Sequence, residues 1–146
     1  MSAAYTHRGE CHCGAIRVTL SFTTAPEATE VRSCQCGFCA RQGAKTISDP
    51  AGRAVIEIDD TVAQRYQFGT KTATSLICSR CGTYAGAYLQ DDDKIWSIAN
   101  VRGLGIAEFA ARVGKAMVYE QETADQRTAR RKVRWTPTEI RRVASV

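Results

Sequence analysis

Residues 16–22, IRVTLSF, place Ile16, Val18, Leu20 and Phe22 in strict alternation with Arg17, Thr19 and Ser21. That period of two is the signature of a strand with one face in a core and the other toward water. Working outward, shorter runs of the same kind occur at 55–58, 65–68, 75–77, 84–89 and 95–101. Turn-rich pieces such as SDPAGR, FGTKT and QDDDK separate them, so the spacing predicts many short strands in a mostly antiparallel, all-β architecture. Asp91, Asp92 and Asp93 read as a hairpin turn, and Phe68, Gly69 and Thr70 as another. Beyond Gly105, AEFAARVGKAMVYE fits a helix interrupted at Gly114. Thr136-Pro137-Thr138-Glu139 has the form of a capping box with proline at the first helical position, which predicts a helical turn from Pro137 to about Val143.

A chain of 146 residues, 44% hydrophobic and 24% charged, is expected to form one compact unit. No apolar run approaches the ~20 residues of a membrane helix, and MSAAYTHRGE lacks the apolar stretch of a secretory signal, so a cytoplasmic protein with no membrane partner is expected. The net charge of +5 is unevenly distributed. Residues 127–146 carry +6 and the rest −1, which divides the chain into a domain over 1–126 and a basic extension over 127–146 packed on it or trailing from it. Basic tails attract polyanions. This one lacks the interleaved aromatics of a single-strand binder and reads instead as a solvated helix face, so no nucleic-acid partner is expected.

Seven cysteines fall in three clusters: Cys11 and Cys13; Cys34, Cys36 and Cys39; Cys78 and Cys81. In a reducing compartment such bunching points to metal rather than disulfides. Cys78-Ser79-Arg80-Cys81-Gly82 is a two-residue-spaced knuckle, and Cys11 and Cys13, followed by Gly14, supply a second pair. Together they make a closed four-thiolate zinc site. Cys34, Cys36 and Cys39 remain, and three protein ligands leave a coordination position open, as in catalytic zinc sites. Closure of that position by His12 or His7 is the alternative, and it would make both ions structural. A redox dithiol or an iron–sulfur cluster has less support from the setting and from the ligand count.

The segments GECHCGAIRV (9–18), SCQCGFCARQGA (33–44), YQFGT (66–70) and ICSRCGTYAGAY (77–88) resemble the glutathione-dependent formaldehyde-activating enzyme family, which includes the centromere protein V domain. All seven cysteines fall on the family's pattern, over about residues 5–101. The resemblance implies a β-tent of coiled sheets holding two zincs per chain, one structural on Cys11, Cys13, Cys78 and Cys81 and one catalytic on Cys34, Cys36 and Cys39. It further implies an enzyme, a carbon–sulfur lyase that joins glutathione to formaldehyde as S-(hydroxymethyl)glutathione and reverses that step. After Val101 the chain departs from the family, with no histidine beyond His12. A tripeptide thiol needs cations for its carboxylates, and Arg41 and Lys45, just past the three-cysteine loop, are the nearest in sequence. Gly37 and Phe38 are expected to shape that loop, and Phe38, Tyr84 and Trp96 read either as an aromatic wall or as core. No side chain stands out as a general base. The competing expectation is a non-catalytic, zinc-stabilised binding module whose basic tail contacts an acidic partner.

Overall fold

The computed structural model describes residues 4–143; residues 1–3 and 144–146, the ends of the two expected segments, lie outside the described residues. The elements in chain order are β1 (Tyr5–Glu10), β2 (Ile16–Phe22), a 3-10 turn (Pro26–Ala28), β3 (Arg32–Cys34), α1 (Gly37–Gln42), β4 (Thr46–Ile47), β5 (Arg53–Ile58), β6 (Ala63–Tyr66), β7 (Thr74–Cys78), β8 (Tyr84–Asp91), β9 (Lys94–Asn100), α2 (Ala107–Ala110), β10 (Lys115–Met117), α3 (Ala124–Arg134) and β11 (Thr136–Arg142). The class is mostly β with short helical pieces, as the alternation of residues 16–22 requires. Among the described residues no helix is long and apolar enough to cross a membrane.

The alternating strand sets the core. In β2, Ile16, Val18, Leu20 and Phe22 are buried and pair with β5 in the register Ile16↔Ile58, Val18↔Ile56 and Leu20↔Ala54. The sheet runs β1-β2-β5-β11-β9-β4-β3-β10, and β8, β7 and β6 continue from β9 in turn. One stretch of β9, Ile95–Ser97, pairs with β11, while Ala99 and Asn100 pair with β4, so β9 serves three neighbours. Most pairings are antiparallel; β11 with β5 and β10 with β3 are parallel. Asp91 to Lys94 forms the expected hairpin turn with Asp92 at φ 55°, a conformation aspartate tolerates.

Two expectations are corrected here. Residues 136–142 form a strand between β5 and β9, not a helical turn. Thr136 is buried and its hydroxyl accepts from Asp49 N at 2.9 Å, Thr138 meets Ser97 across the strands at 2.6 Å, and Ile140 packs on the core. Glu139, the would-be capping glutamate, pairs with Arg53 at 2.7 Å instead of with a helix terminus. The second correction concerns residues 107–120, where the helix is one turn only, α2, before the chain runs into β10. Gly114 explains the break: a Cβ there would meet Ser33 Oγ at 2.0 Å, so the backbone approaches β3 where a helix has no room.

Asp49 ties the β11 end of the sheet to the loop after β2. Its carboxylate, 5% exposed, accepts from Thr23 N at 2.7 Å, Thr23 Oγ1 at 2.8 Å and Ala51 N at 3.0 Å. Burial alone would raise its pKa, but these donors win and hold it below the ordinary value. A depressed folded pKa means stability that is present above the unfolded value, ~3.9, and is lost as pH falls through the folded one. Asp49→Asn is therefore expected to cost about 1–3 kcal/mol at neutral pH. In urea melts the gap between wild type and variant should narrow below about pH 4; a gap that stays constant with pH would disprove the charge-assisted account.

Candidate metal centres and the cavity beside them

The first centre closes the sheet's N-terminal end onto its middle. Cys11 follows β1, Cys78 ends β7, and Gly14 and Gly82, with φ of 84° and 80°, turn the chain back after each cysteine pair as Cβ-bearing residues rarely do. The four sulfurs of Cys11, Cys13, Cys78 and Cys81 lie within 4.8 Å of one another, with Cys11 to Cys13 at 3.8 Å and Cys13 to Cys78 at 3.6 Å. Four thiolates 2.3 Å from a shared tetrahedral ion would stand about 3.8 Å apart, so the set fits zinc. Ile16 N donates to Cys11 Sγ at 3.3 Å, and Thr83 Oγ1 lies 3.2 Å from Cys81 Sγ. Burial pushes the Cys78 thiol up to about 12 and raises that of Cys11. Burial also acts on Cys81, but the Thr83 hydroxyl and nearby backbone amides overcome it and bring that thiol down to about 5. A cluster that holds thiol and thiolate side by side exchanges its protons for a divalent cation.

The second group stands on β3 and α1. Cys34 ends β3, Cys36 is the N-cap of α1 with its sulfur accepting from Cys39 N at 3.4 Å, and Cys39 lies in the helix. Their three sulfurs also lie within 4.8 Å of one another, and among the described residues no fourth histidine, cysteine or carboxylate joins them. His7 is elsewhere: it is buried edge-on between Phe22 and Phe109, with Nδ1 2.5 Å from Glu108. His12 is exposed, and its backbone N faces Thr83 beside the first centre. The Cys39 thiol donates to Cys34 and holds it at about 5 against the effect of burial; the same bond and burial drive Cys39 upward.

In front of Cys34, Cys36 and Cys39 opens a cavity of about 220 Å³. Its walls include Phe68, Tyr84, Trp135 and four arginines: Arg32 from β3 and Arg127, Arg130 and Arg131 from α3. Arg130 Nε meets both carboxylate oxygens of Glu122 at 3.0 Å and its guanidinium lies 3.6 Å from the Tyr119 ring centroid. Arg127 donates to Tyr119 O at 3.1 Å, and Arg131 to Thr72 Oγ1 at 2.6 Å while lying over the Trp135 ring at 5.1 Å. Burial and the neighbouring charges of Arg130 and Arg127 push Arg131 down to about 10, so it stays charged at neutral pH although its buried Nε has no partner.

The residues expected to bind substrate stand differently. Arg41 is exposed on α1 and donates to Gly37 O at 3.1 Å, and Lys45 donates its backbone N–H to Asn100 Oδ1 at 3.0 Å; neither lines the cavity. Phe38 also stays outside the lining. It packs against Phe68 at 5.2 Å and edge-on against Tyr84 at 4.9 Å, so it buttresses the wall rather than forming it. Trp96 is also outside the lining and packs behind it with Ala87, Leu89 and Trp135. Sequence reading missed the arginines that do line the cavity. Their signal was present: Arg127, Arg130 and Arg131 stand at i, i+3 and i+4, one face of a helix, behind a true capping box at Thr123 and Gln126.

No protein-family model matches the chain. A solved structure is similar: the crystal structure of a Rhodobacter sphaeroides protein, a structural-genomics target, is 26% identical with a TM-score of 0.59, over 75% of this chain and 99% of that one. The chain thus has the fold of that bacterial protein and sets within it two cysteine groups able to hold metal ions.

Proposed function

We propose that the chain is a zinc-dependent carbon–sulfur lyase and synthase acting on the adduct of a small carboxylate-bearing thiol with an aldehyde. Glutathione and formaldehyde are the pair that the sequence resemblance implies. The observation that carries this reading is the juxtaposition of a three-thiolate group with a cavity lined by four arginines. Cys11, Cys13, Cys78 and Cys81 would hold one zinc and Cys34, Cys36 and Cys39 a second. Zinc on three thiolates supplies a soft, open position that keeps an added sulfur deprotonated near neutral pH.

The chain's own groups do the rest. The arginines draw an anionic thiol into the cavity and fix its carboxylates. Tyr84, buried at the wall, keeps its phenol protonated: burial above all, with the neighbouring Cys39 and Cys34, raises its pKa, while its side chain shares a hydrogen bond with Ser75. In the synthetic direction the sulfur bonds to the carbonyl carbon, the C=O π pair moves to oxygen, and the proton lost by the thiol ends on that oxygen; lysis is the reverse. A polyanion partner for the tail has no comparable support. Arg127, Arg130 and Arg131 line the cavity, and Lys132, Arg141 and Arg142 pair with Asp91, Glu139 and Asp60.

Zinc-edge X-ray absorption on the zinc-loaded protein tests the reading. Glutathione is expected to raise the mean number of sulfur neighbours per zinc, and S-methylglutathione, which cannot give a thiolate, is expected to leave it unchanged. A spectrum indifferent to glutathione would overturn the proposal.

A further inference from the structure

α3 is an unusual helix for a small domain. Helices are ordinarily held by an apolar face against a core, yet α3 buries no residue, and Val133, its most apolar side chain, is 66% exposed. Polar contacts hold it instead: Arg131 to Thr72, Lys132 to Asp91 and Arg130 to Glu122. The face it turns toward the cysteine cavity is the face that carries guanidinium groups. Of the four arginines there, only Arg130 has a carboxylate partner among the described residues. Arg127 is bonded to backbone carbonyls, Arg131 to a threonine hydroxyl, and Arg32, from β3, to the Ser48 hydroxyl.

None of these three partly buried guanidiniums has a carboxylate paired to it among the described residues, their like charges repel one another, and Arg131 leaves an N–H unsatisfied besides. A bound carboxylate relieves both, and guanidinium forks match carboxylate oxygens in pairs. Glu120 stands exposed on the same lining and supplies one negative charge suited to an ammonium group.

We propose that Arg127 and Arg131 of α3, with Arg32 of β3, form a carboxylate-binding subsite that selects substrates bearing two carboxylates remote from the reacting sulfur. The proposal rests on reading the cavity as the site of a thiol substrate, but the subsite holds the acid end and acts without the thiol. S-methylglutathione, which keeps both carboxylates and lacks the thiol, is the probe, titrated calorimetrically into zinc-loaded protein. Wild type is expected to bind it. Arg131→Gln and Arg127→Gln are each expected to weaken binding roughly 10-fold or more, and Arg131→Lys to recover only part, since an ammonium cannot form the paired contact.

Arg53→Gln, on β5 and paired with Glu139, is expected to bind as wild type does. Arg131 also ties α3 to Thr72, so the melting temperature is measured alongside, and Arg127→Gln, which leaves that tie in place, is expected to show the same loss while folded. No binding by wild type, equal binding by Arg131→Gln, a loss in Arg41→Gln as large as in Arg131→Gln, or tighter binding of inorganic phosphate than of the peptide would each overturn the subsite. Should S-methylglutathione bind through Arg131 while glutathione adds no sulfur at the zinc edge, the subsite stands and the thiol chemistry falls; the opposite pair of results removes the subsite alone.

Discussion

Cys78→Ser is expected to produce a chain that is insoluble or melts without a cooperative transition. Cys78 and Cys11 are 0% exposed, and the four-sulfur group they belong to joins segments 65 residues apart at Cys13 and Cys78. Zinc in structural sites contributes about 10–16 kcal/mol in small zinc-folded peptides, as much as the whole stability of an ordinary domain, ~5–15 kcal/mol. The substitution weakens that hold and leaves a hydroxyl among buried sulfurs, where the Ile16 N–H and the Thr83 hydroxyl are arranged to meet sulfur charge. Apolar burial along β2 and β5 remains, but the turn that leads from β1 into β2 loses its anchor. Expression, zinc content by mass spectrometry and thermal melts read the outcome. A soluble variant with the wild-type melting temperature would show that these four cysteines do not hold the fold together.

The strands and the cysteine partition were legible because their signals are local. Ile16 to Phe22 alternates over seven residues, and each half of the four-cysteine group is marked by two thiols and a glycine within five residues. The cavity was not legible in the same way. Three of its four arginines, Arg127, Arg130 and Arg131, lie more than ninety residues beyond Cys34, and only the return of the chain through α3 brings them to it. Sequence proximity favoured Arg41 and Lys45, which follow the cysteine loop closely but do not line the cavity. The string at Thr136 to Glu139 misled for a related reason. A capping box is a four-residue pattern, and here the competing pull is tertiary: two strands offer edges to Thr136–Arg142, and Asp49 and Ser97 take the hydroxyls that a helix terminus would have used. Phe68 shows the limit from the other direction, since β6 ends at Tyr66 and Phe68 packs at a tilt against Phe38 at the cavity wall.

Cys36→Ser is expected to separate function from folding. Cys36 is only partly buried, and its structural duty is to cap α1 by accepting from Cys39 N. Serine performs that duty as well as any residue, because its short oxygen is a preferred acceptor at a helix N-cap. The helix therefore survives, and so does the first centre, which shares no ligand with the second. What the variant loses is a soft thiolate donor from a set of three, and two cysteines grip zinc far more weakly than three. Zinc content is expected to fall from about two per chain to about one, in line with one ion per cysteine group. Turnover of a glutathione–formaldehyde adduct, followed by NMR, is expected to drop at least roughly 100-fold, since removal even of a supporting group costs 10–100-fold at metal sites. The melting temperature is expected to move by only a few degrees, the shift that about 1 kcal/mol gives in a chain of this size. The comparison with Cys78→Ser carries the argument: both remove one thiolate, so a general need for metal would make them behave alike. If Cys36→Ser fails to fold as Cys78→Ser does, the second group is scaffolding; if it folds with both zincs and full turnover, the reaction does not depend on Cys36.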